Sequence, residues 1–267
     1  MRLVDSPLHM RTLAKLSAEY HRLMLVTFYV SYVLGASEHG SSSSHASHAL
    51  EALTPQTKLL VPLLRVMTQL AKAYVCKQSV SLLFSCMEAL GGVGYLYNEE
   101  QEHLNISRIY RDTCVLPIWE GTTDVLCTDQ MRALKHPRTG ADSIAALDQL
   151  VRQASAFEGN IDRPRGWDPV EKWTSWRTHL EDTSQAGLMG EAREVAWALG
   201  DLIAGLLLYV DAGSDGSPVV TEMLLRFLED RREIESQGRG TLTHELSMDL
   251  KMVFGVDERA ARVAAKL

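Results

Sequence analysis

Two long segments of this sequence repeat apolar side chains at helical spacing, and their length constrains the fold more than any other feature. The first follows Ser6-Pro7, an N-cap with proline at the first helical position, and continues to Leu34, where Gly35 supplies a stop. The second follows Thr54-Pro55 and continues to Leu90, just before a glycine pair. At 1.5 Å of rise per residue, the second segment predicts a helix about 50 Å long. Two helices of this length predict an antiparallel bundle.

The residues outside these two segments predict a loop and a third helix. Residues 37–48 are mostly Ser, His, Gly and Ala, so they cannot bury an apolar face, and they predict a flexible loop. A third helix is predicted from Gly121 to His136, with Pro137 just past its end. Its acidic start and basic end complement the helix dipole.

The composition agrees with an all-α protein. The chain has 267 residues, of which 46% are hydrophobic, 23% charged and 7% aromatic, with only 8 prolines. These values are typical of a globular chain with one large domain or two smaller ones, and they exclude disordered and fibrous classes. Few aromatic residues and recurring Ala and Leu argue against a many-stranded sandwich.

The helical pattern changes beyond Pro137, and we place a domain boundary near Arg138. Residues 1–137 are predicted to form the long-helix bundle, and residues 138–267 a helical C-terminal extension. Helical segments of the extension are predicted near 141–157, 169–182, 185–211, 218–236 and 241–253. Four large rings of this part are expected in its core, as is usual for tryptophan: Trp167, Trp173, Trp176 and Trp197.

The charge distribution excludes one class of partner. The formal net charge is −7, and residues 1–136 hold 12 basic and 12 acidic side chains, whereas residues 137–267 hold 15 and 22. A surface that neutralises phosphates needs a basic face. An acidic second half therefore argues against binding to nucleic acid or to an anionic membrane.

The cysteines and histidines predict no metal site and no disulfide framework. The four cysteines lack the close pairs of metal or redox motifs and are expected to be reduced structural thiols: Cys76, Cys86, Cys114 and Cys127. Three histidines of the Ser-rich loop have no supporting carboxylate nearer than Glu38 and Glu51, so a solvated loop is favoured over a metal site: His39, His45 and His48.

The N-terminus lacks the apolar region of a signal peptide. The longest uncharged stretch, Leu23 to Ser37, is shorter than the ~20 residues needed to cross a bilayer. We expect a soluble intracellular protein without membrane insertion, cytoplasmic unless a mitochondrial or peroxisomal location applies.

The most informative segment is residues 88–124, which holds three short motifs. They are Gly91-Gly92-Val93-Gly94-Tyr95 after a helix, Arg111-Asp112 in a connecting segment, and Trp119-Glu120-Gly121-Thr122 before a helix. Taken singly, each has an ordinary structural explanation, because glycines cap helices, Arg–Asp pairs form on surfaces, and carboxylates favour helix starts. The glycines are no dinucleotide fingerprint, since they follow a helix instead of a strand.

In this order and spacing, the three motifs closely resemble the C-terminal helical domain of flavin-dependent acyl-CoA dehydrogenases. The family pattern is a Gly-Gly-x-Gly-Tyr turn, an Arg-Asp pair, and an aromatic-Glu-Gly-Thr turn that opens the last bundle helix. The sequence Met87-Glu-Ala-Leu-Gly-Gly92 and the Trp-Glu-Gly motif most resemble those of the branch named after the bacterial alkylation-response protein AidB. The resemblance covers about residues 5 to 136.

The resemblance implies a reaction and a base. In this family a carboxylate removes the proton α to the carbonyl of an acyl-CoA thioester, while the β-hydrogen leaves as hydride to FAD. It implies that Glu120 is that base, on a tight turn that can hold it beside the substrate. Gly121 would allow close approach of the backbone.

The resemblance also implies a FAD site and an oligomer. Thr122 and Asp124 occupy positions where the family contacts the flavin and its phosphates, at a helix start. Glu88, Gly91 and Gly92 match positions that contact the adenosine-diphosphate part from a neighbouring subunit, which implies a homo-oligomer. Positions 88 and 124 are acidic here, where relatives often carry amides, and a carboxylate facing a diphosphate is unfavourable.

The family fold also has an N-terminal helical domain and a flavin-cradling β-domain, and this sequence matches neither. Three hypotheses follow: the C-terminal part of an acyl-CoA dehydrogenase, a non-catalytic helical oligomerisation module derived from that family, or a DNA-associated protein of the alkylation-response branch. The charge distribution argues against the third.

Overall fold

The computed structural model describes residues 3–40, 47–97, 105–235 and 242–255. These residues form twelve α-helices and a short 3₁₀ turn at Leu3–Asp5, with no strand among them. The helices in chain order are α1 Pro7–His39, α2 His48–Ala52, α3 Thr57–Ala89, α4 Gly92–Tyr95, α5 Ile106–Val115, α6 Thr123–Leu134, α7 Gly140–Ser155, α8 Pro169–Asp182, α9 Gln185–Gly190, α10 Ala192–Asp215, α11 Pro218–Asp230 and α12 Leu242–Phe254. The all-α class is confirmed.

Helices α1 and α3 form the antiparallel pair that the sequence predicts. Each has 33 residues, which is about 50 Å of helix. Near the end of α1, the hydroxyl groups of Tyr32 and Thr54 are 2.7 Å apart, and Thr54 lies three residues before the start of α3. Near the start of α1, His9 lies beside Ser85 in one groove. The two helices therefore run in opposite directions.

Helix α10 is the central helix of the molecule. Most of its residues are buried, and they belong to one apolar core together with residues of α1, α3, α6, α7, α8 and α11. A buried polar chain ties this core together: Arg22 donates to the Tyr74 hydroxyl, and Tyr74 donates to Asp201. Arg231 reaches the second oxygen of Asp201 at 3.2 Å.

The core is continuous across the predicted boundary near residue 138, because buried side chains from both sides belong to it. Gly200 of α10 lies so close to Tyr74 of α3 that a Cβ atom there would be 2.5 Å from the ring. Trp167 and Trp173 are buried as predicted, and Trp176 and Trp197 pack partly buried against the core. The division at 137/138 stays a prediction.

Several helix bounds differ from the predictions, and the predicted connecting segment before Gly121 contains helix α5. Helix α1 continues through Gly35, which has ordinary helical geometry, and ends at His39 before Gly40 with φ 79°. The predicted loop 37–48 is therefore shorter, and residues 41–46 lie outside the described residues. The predicted helix 185–211 is two helices, α9 and α10, because the chain bends at Glu191.

Two helices, α3 and α10, are long and apolar enough to meet a length and composition criterion for crossing a membrane. In the most apolar 18-residue window, 78% of α10 and 44% of α3 is buried inside the protein. Core helices of soluble proteins meet the same criterion, so the criterion alone is weak evidence for a membrane span.

Candidate functional site

Glu120 lies on a turn with an unusual backbone. Its φ is 52° and that of Gly121 is 103°, so two successive residues have positive φ. Glycine adopts such angles freely, but a residue with a Cβ does so at a cost of about 1 kcal/mol or more. A backbone of this kind persists only where contacts with neighbouring residues stabilise it.

Lys72, in the middle of α3, binds the backbone of this turn. Its ammonium group donates to the carbonyl oxygen of Trp119 at 2.7 Å and to that of Gly121. Gly121 also lies on the side chain of Leu126, because a Cβ at position 121 would be 3.2 Å from that side chain. The turn is thus fixed on the protein side, while the Glu120 side chain is exposed.

Helix α6 begins two residues after Gly121 with unused hydrogen-bonding groups. Thr122 is the N-cap residue, in extended conformation, yet its side chain makes no cap hydrogen bond. Threonine at this position ordinarily accepts from a backbone N–H of the first turn. The exposed hydroxyl of Thr122 is therefore available to a ligand.

The carboxylate of Asp124 has a partner that the sequence did not reveal. Arg193, near the start of α10, donates to one oxygen of Asp124 from Nε at 3.0 Å and from Nη2 at 2.6 Å. The negative charge of Asp124 is therefore compensated by a residue of the C-terminal part of the chain. The two residues are 69 positions apart, so no local pattern could have found the pair.

Glu88, Gly91 and Gly92 lie together at the far end of α3. Gly91 has φ 64°, and a Cβ at either glycine would meet nothing within 4 Å, so both present open backbone to solvent. Gly94 differs, because a Cβ there would be 2.3 Å from the Met87 carbonyl oxygen, and it serves the packing of α4 on α3. Glu88 is exposed at the edge of a groove of about 590 Å³ between α1 and α3.

The structure does not bring these two groups of predicted site residues together. Lys72 marks the position of the Glu120 turn along α3, and Glu88 lies 16 residues further along the same helix. At 1.5 Å per residue, they are separated by about 24 Å along the axis. Within one copy of the chain, Glu120, Thr122 and Asp124 form one group, and Glu88, Gly91 and Gly92 form another.

The surface around the Glu120 turn is apolar. Ile118 is 63% exposed, Trp119 53% and Val125 54%. Large apolar side chains this exposed, side by side, are typical of a surface that contacts a ligand or another protein. The predicted pair Arg111-Asp112 is exposed nearby, and Asp112 is paired with Arg108 at 3.7 Å.

The cysteines are free, and among the described residues no cluster of His, Cys, Asp and Glu could hold a metal ion. Cys127 of α6 is buried beneath this surface, and burial raises the pKa of its thiol to about 11; nearby Arg193 lowers the pKa and Asp124 raises it, both by less. Such a thiol stays protonated at neutral pH, which suits a structural role.

Comparison with known proteins matches these features to one family. The family model for the acyl-CoA dehydrogenase C-terminal domain matches residues 2–135. Acyl-CoA dehydrogenase family member 11 of Caenorhabditis elegans is 30% identical over 223 residues, which are 79% of this chain and 32% of that protein. AidB of Escherichia coli (strain K12) is 40% identical over 70 residues, which are 26% of this chain and 12% of AidB.

Solved structures show the same fold. The apo form of Bd2924 has a TM-score of 0.56 at 29% identity, over 77% of this chain and 34% of that one. The crystal structure of C. elegans ACDH-11 in complex with C11-CoA has a TM-score of 0.64 at 24% identity, over 94% of this chain and 40% of that one. The chain thus spans well under half of each relative. Because the family model covers half of it, from α1 to the end of α6, this chain belongs to the acyl-CoA dehydrogenase family.

Proposed function

We propose that this chain is the C-terminal part of a FAD-dependent oxidoreductase that dehydrogenates the α,β carbon–carbon bond of an acyl-CoA thioester. The observation that carries the proposal is the Glu120 turn. It has two positive φ angles, is held by Lys72, and presents a carboxylate to an apolar open surface. Strained backbone of this kind clusters at functional sites because it fixes a side chain in place.

Glu120 would act as the base. Bound FAD would supply the hydride acceptor for the β-hydrogen of the substrate. A carboxylate oxygen of Glu120 would take the proton from the α-carbon. The exposed apolar side chains of Ile118 and Trp119 would exclude water once an acyl chain covers them. The Lys72 contacts hold the backbone on both sides of Glu120, which would limit where its side chain can reach.

Two features of the chain fit FAD. The uncapped start of α6, with the free Thr122 hydroxyl, offers hydrogen bonds to acceptor atoms of the cofactor. The bare backbone of Gly91 and Gly92 lets a bulky group approach closely, and Glu88 at its edge would accept hydrogen bonds from ribose hydroxyl groups rather than contact the diphosphate.

The distance of about 24 Å between these groups supports a homo-oligomer. One copy would contribute the Glu120 turn to a flavin site, and a neighbouring copy would contribute its Gly91 region. Further polypeptide is needed to cover the flavin ring, since Glu120 is exposed here. We expect the assembled protein to act inside the cell, on an acyl-CoA partner and not on nucleic acid.

The same exposure favours the second candidate, a non-catalytic oligomerisation module that keeps the family's helical core. One experiment separates the two. The protein is purified from its native source, or co-expressed with the polypeptide that supplies the β-domain. Flavin absorbance is then recorded, and acyl-CoA oxidation is assayed with an artificial electron acceptor.

We expect bound flavin, and for Glu120→Gln a loss of activity of about a thousandfold with unchanged flavin content. Glu158→Gln, an exposed glutamate of a distant loop, is the matched control and should keep full activity. Protein without flavin, or a Glu120→Gln variant as active as the control, would exclude the dehydrogenase in favour of the module.

A further inference from the structure

The strongest unexplained feature beside the proposed site is the contact between Arg193 and Asp124. Arg193 lies outside the residues that match the family model, in the C-terminal part of the chain. Its guanidinium group uses Nε and Nη2, both directed at the same oxygen of Asp124. The contact brings the starts of α6 and α10 together.

Stability does not explain this pair. The side chains of Arg193 and Asp124 are 52% and 73% exposed, and ion pairs this exposed contribute little to folding. The helix dipole does not explain it either. A carboxylate in the first turn of α6 is already favourable there, whereas a cation in the first turn of α10 lies at the wrong end of its helix.

The hydrogen-bond donors of Arg193 that Asp124 does not use are available to a ligand. A guanidinium group carries five N–H donors, and two of them bind Asp124, which leaves about three without a partner among the described residues. A carboxylate alone can only accept hydrogen bonds. Anchored by Asp124, Arg193 places N–H donors and a positive charge where the bare carboxylate would repel an acceptor or an anion.

We infer that Arg193 is a cofactor-binding residue of the flavin site, with Asp124 as its positioning residue. This inference rests on the proposed function, because it assigns the start of α6 to FAD. Arg193 supplies hydrogen bonds to acceptor atoms of the cofactor beside Thr122. The C-terminal part of the chain therefore takes part in the site in addition to packing on the bundle.

The test is a titration with FAD of the isotope-labelled 267-residue chain, assembled with the polypeptide that supplies the β-domain, and it is followed by NMR. The signals are the backbone amides of residues 122–125 and the side-chain Nε–H of Arg193. The variants are Arg193→Ala, Asp124→Asn and their combination. Arg152→Ala is the control, because Arg152 is also 52% exposed and also donates from Nε to an aspartate, at 2.8 Å.

Arg193→Ala should weaken the apparent affinity for FAD about tenfold, the usual effect of losing a hydrogen bond from a charged donor. The double variant should recover most of that loss, because the asparagine amide restores an N–H donor and removes the unpaired carboxylate. A merely structural pair gives no such rescue. Arg152→Ala should bind FAD as the unmodified chain does.

Two results overturn the inference alone: Arg193→Ala binds FAD as tightly as the unmodified chain, or the double variant binds no better than Arg193→Ala. A different result overturns the proposed function as well. In that case FAD shifts none of these signals in the unmodified assembled protein, which is seen before any variant is compared.

Discussion

At the scale of single residues, the sequence could predict the turn but not what holds it. Gly121 and Thr122 are local signals for a turn and a helix start, and both act as predicted. Lys72 lies 47 and 49 positions from the carbonyl groups that it binds, and Arg193 lies 69 positions from Asp124. Such contacts are made by the packing of α3, α6 and α10, and no spacing along the chain encodes them.

The Lys72 contacts lead to a prediction about the turn. Lys72→Met keeps the apolar stem but removes both hydrogen bonds to the carbonyl groups, each of which is worth about 1 to 3 kcal/mol when made by a charged donor. We expect amide hydrogen exchange in residues 119–123 to become at least about tenfold faster, measured by mass spectrometry. Activity of the assembled protein should fall with it.

Lys77→Met is the control for this measurement, because Lys77 is an exposed lysine of the same helix. It should leave exchange in the turn unchanged. Exchange in Lys72→Met as slow as in the control would mean that the turn keeps its shape without the ammonium group.

At the scale of helices, the long helices were predictable from apolar spacing, but some of their ends and the helix α5, in a segment predicted to be a loop, were not. Gly35 was expected to stop α1, yet the helix continues for four more residues to His39. The helix-breaking tendency of glycine is weak, about 1 kcal/mol, and packing of α1 against α3 and α10 outweighs it. The break at Glu191 between α9 and α10 was not predicted either, and α9 packs against α6 there.

Two helix-interior glycines therefore predict opposite effects of the same substitution. Gly35→Ala adds a methyl group to open space, so the free energy of unfolding should rise by about 0.5 to 1 kcal/mol. Gly200→Ala forces a methyl group to within 2.5 Å of the buried Tyr74 ring, and should lower the free energy of unfolding by about 1 to 2 kcal/mol.

Urea unfolding followed by circular dichroism measures both values on the same scale. Each variant serves as the control of the other, since the chemical change is identical. Equal shifts in the two variants would contradict the close approach of α10 to α3.

At the scale of the whole molecule, one core joins the family domain to the C-terminal part. The sequence placed a boundary near Arg138 because the pattern changes there, but a pattern along the chain cannot report which faces meet. The antiparallel pair α1 and α3 was predictable from two long apolar stripes. The insertion of α10 beside them was not.

This core also predicts how stability depends on pH. Burial raises the pKa of the Cys127 thiol to about 11, and it raises the pKa values of the Tyr29 and Tyr74 hydroxyl groups. Above pH 9 the unfolded chain loses protons that the folded chain retains, so the free energy of unfolding should fall as pH rises from about 9 to 11. Between pH 6 and 8 these groups are protonated in both states and have no effect.

Thermal unfolding between pH 7 and pH 10.5 tests this, and Cys127→Ala is the informative variant. It should be less stable at pH 7, because a buried side chain is truncated, but should lose less stability on going to high pH. An unchanged slope above pH 9 would show that the thiol ionises equally in both states.

The central position of α10 also has a consequence for synthesis of the protein. Chains emerge from the ribosome N-terminus first, so α1, α3 and α6 are complete while the residues of α10 are still unmade. Until α10 has emerged, the face of Tyr74 that packs against Gly200 and Trp197 stays uncovered. The nascent bundle would then expose apolar surface and tend to aggregate. A chaperone that covers this surface before translation ends would raise the yield of soluble protein.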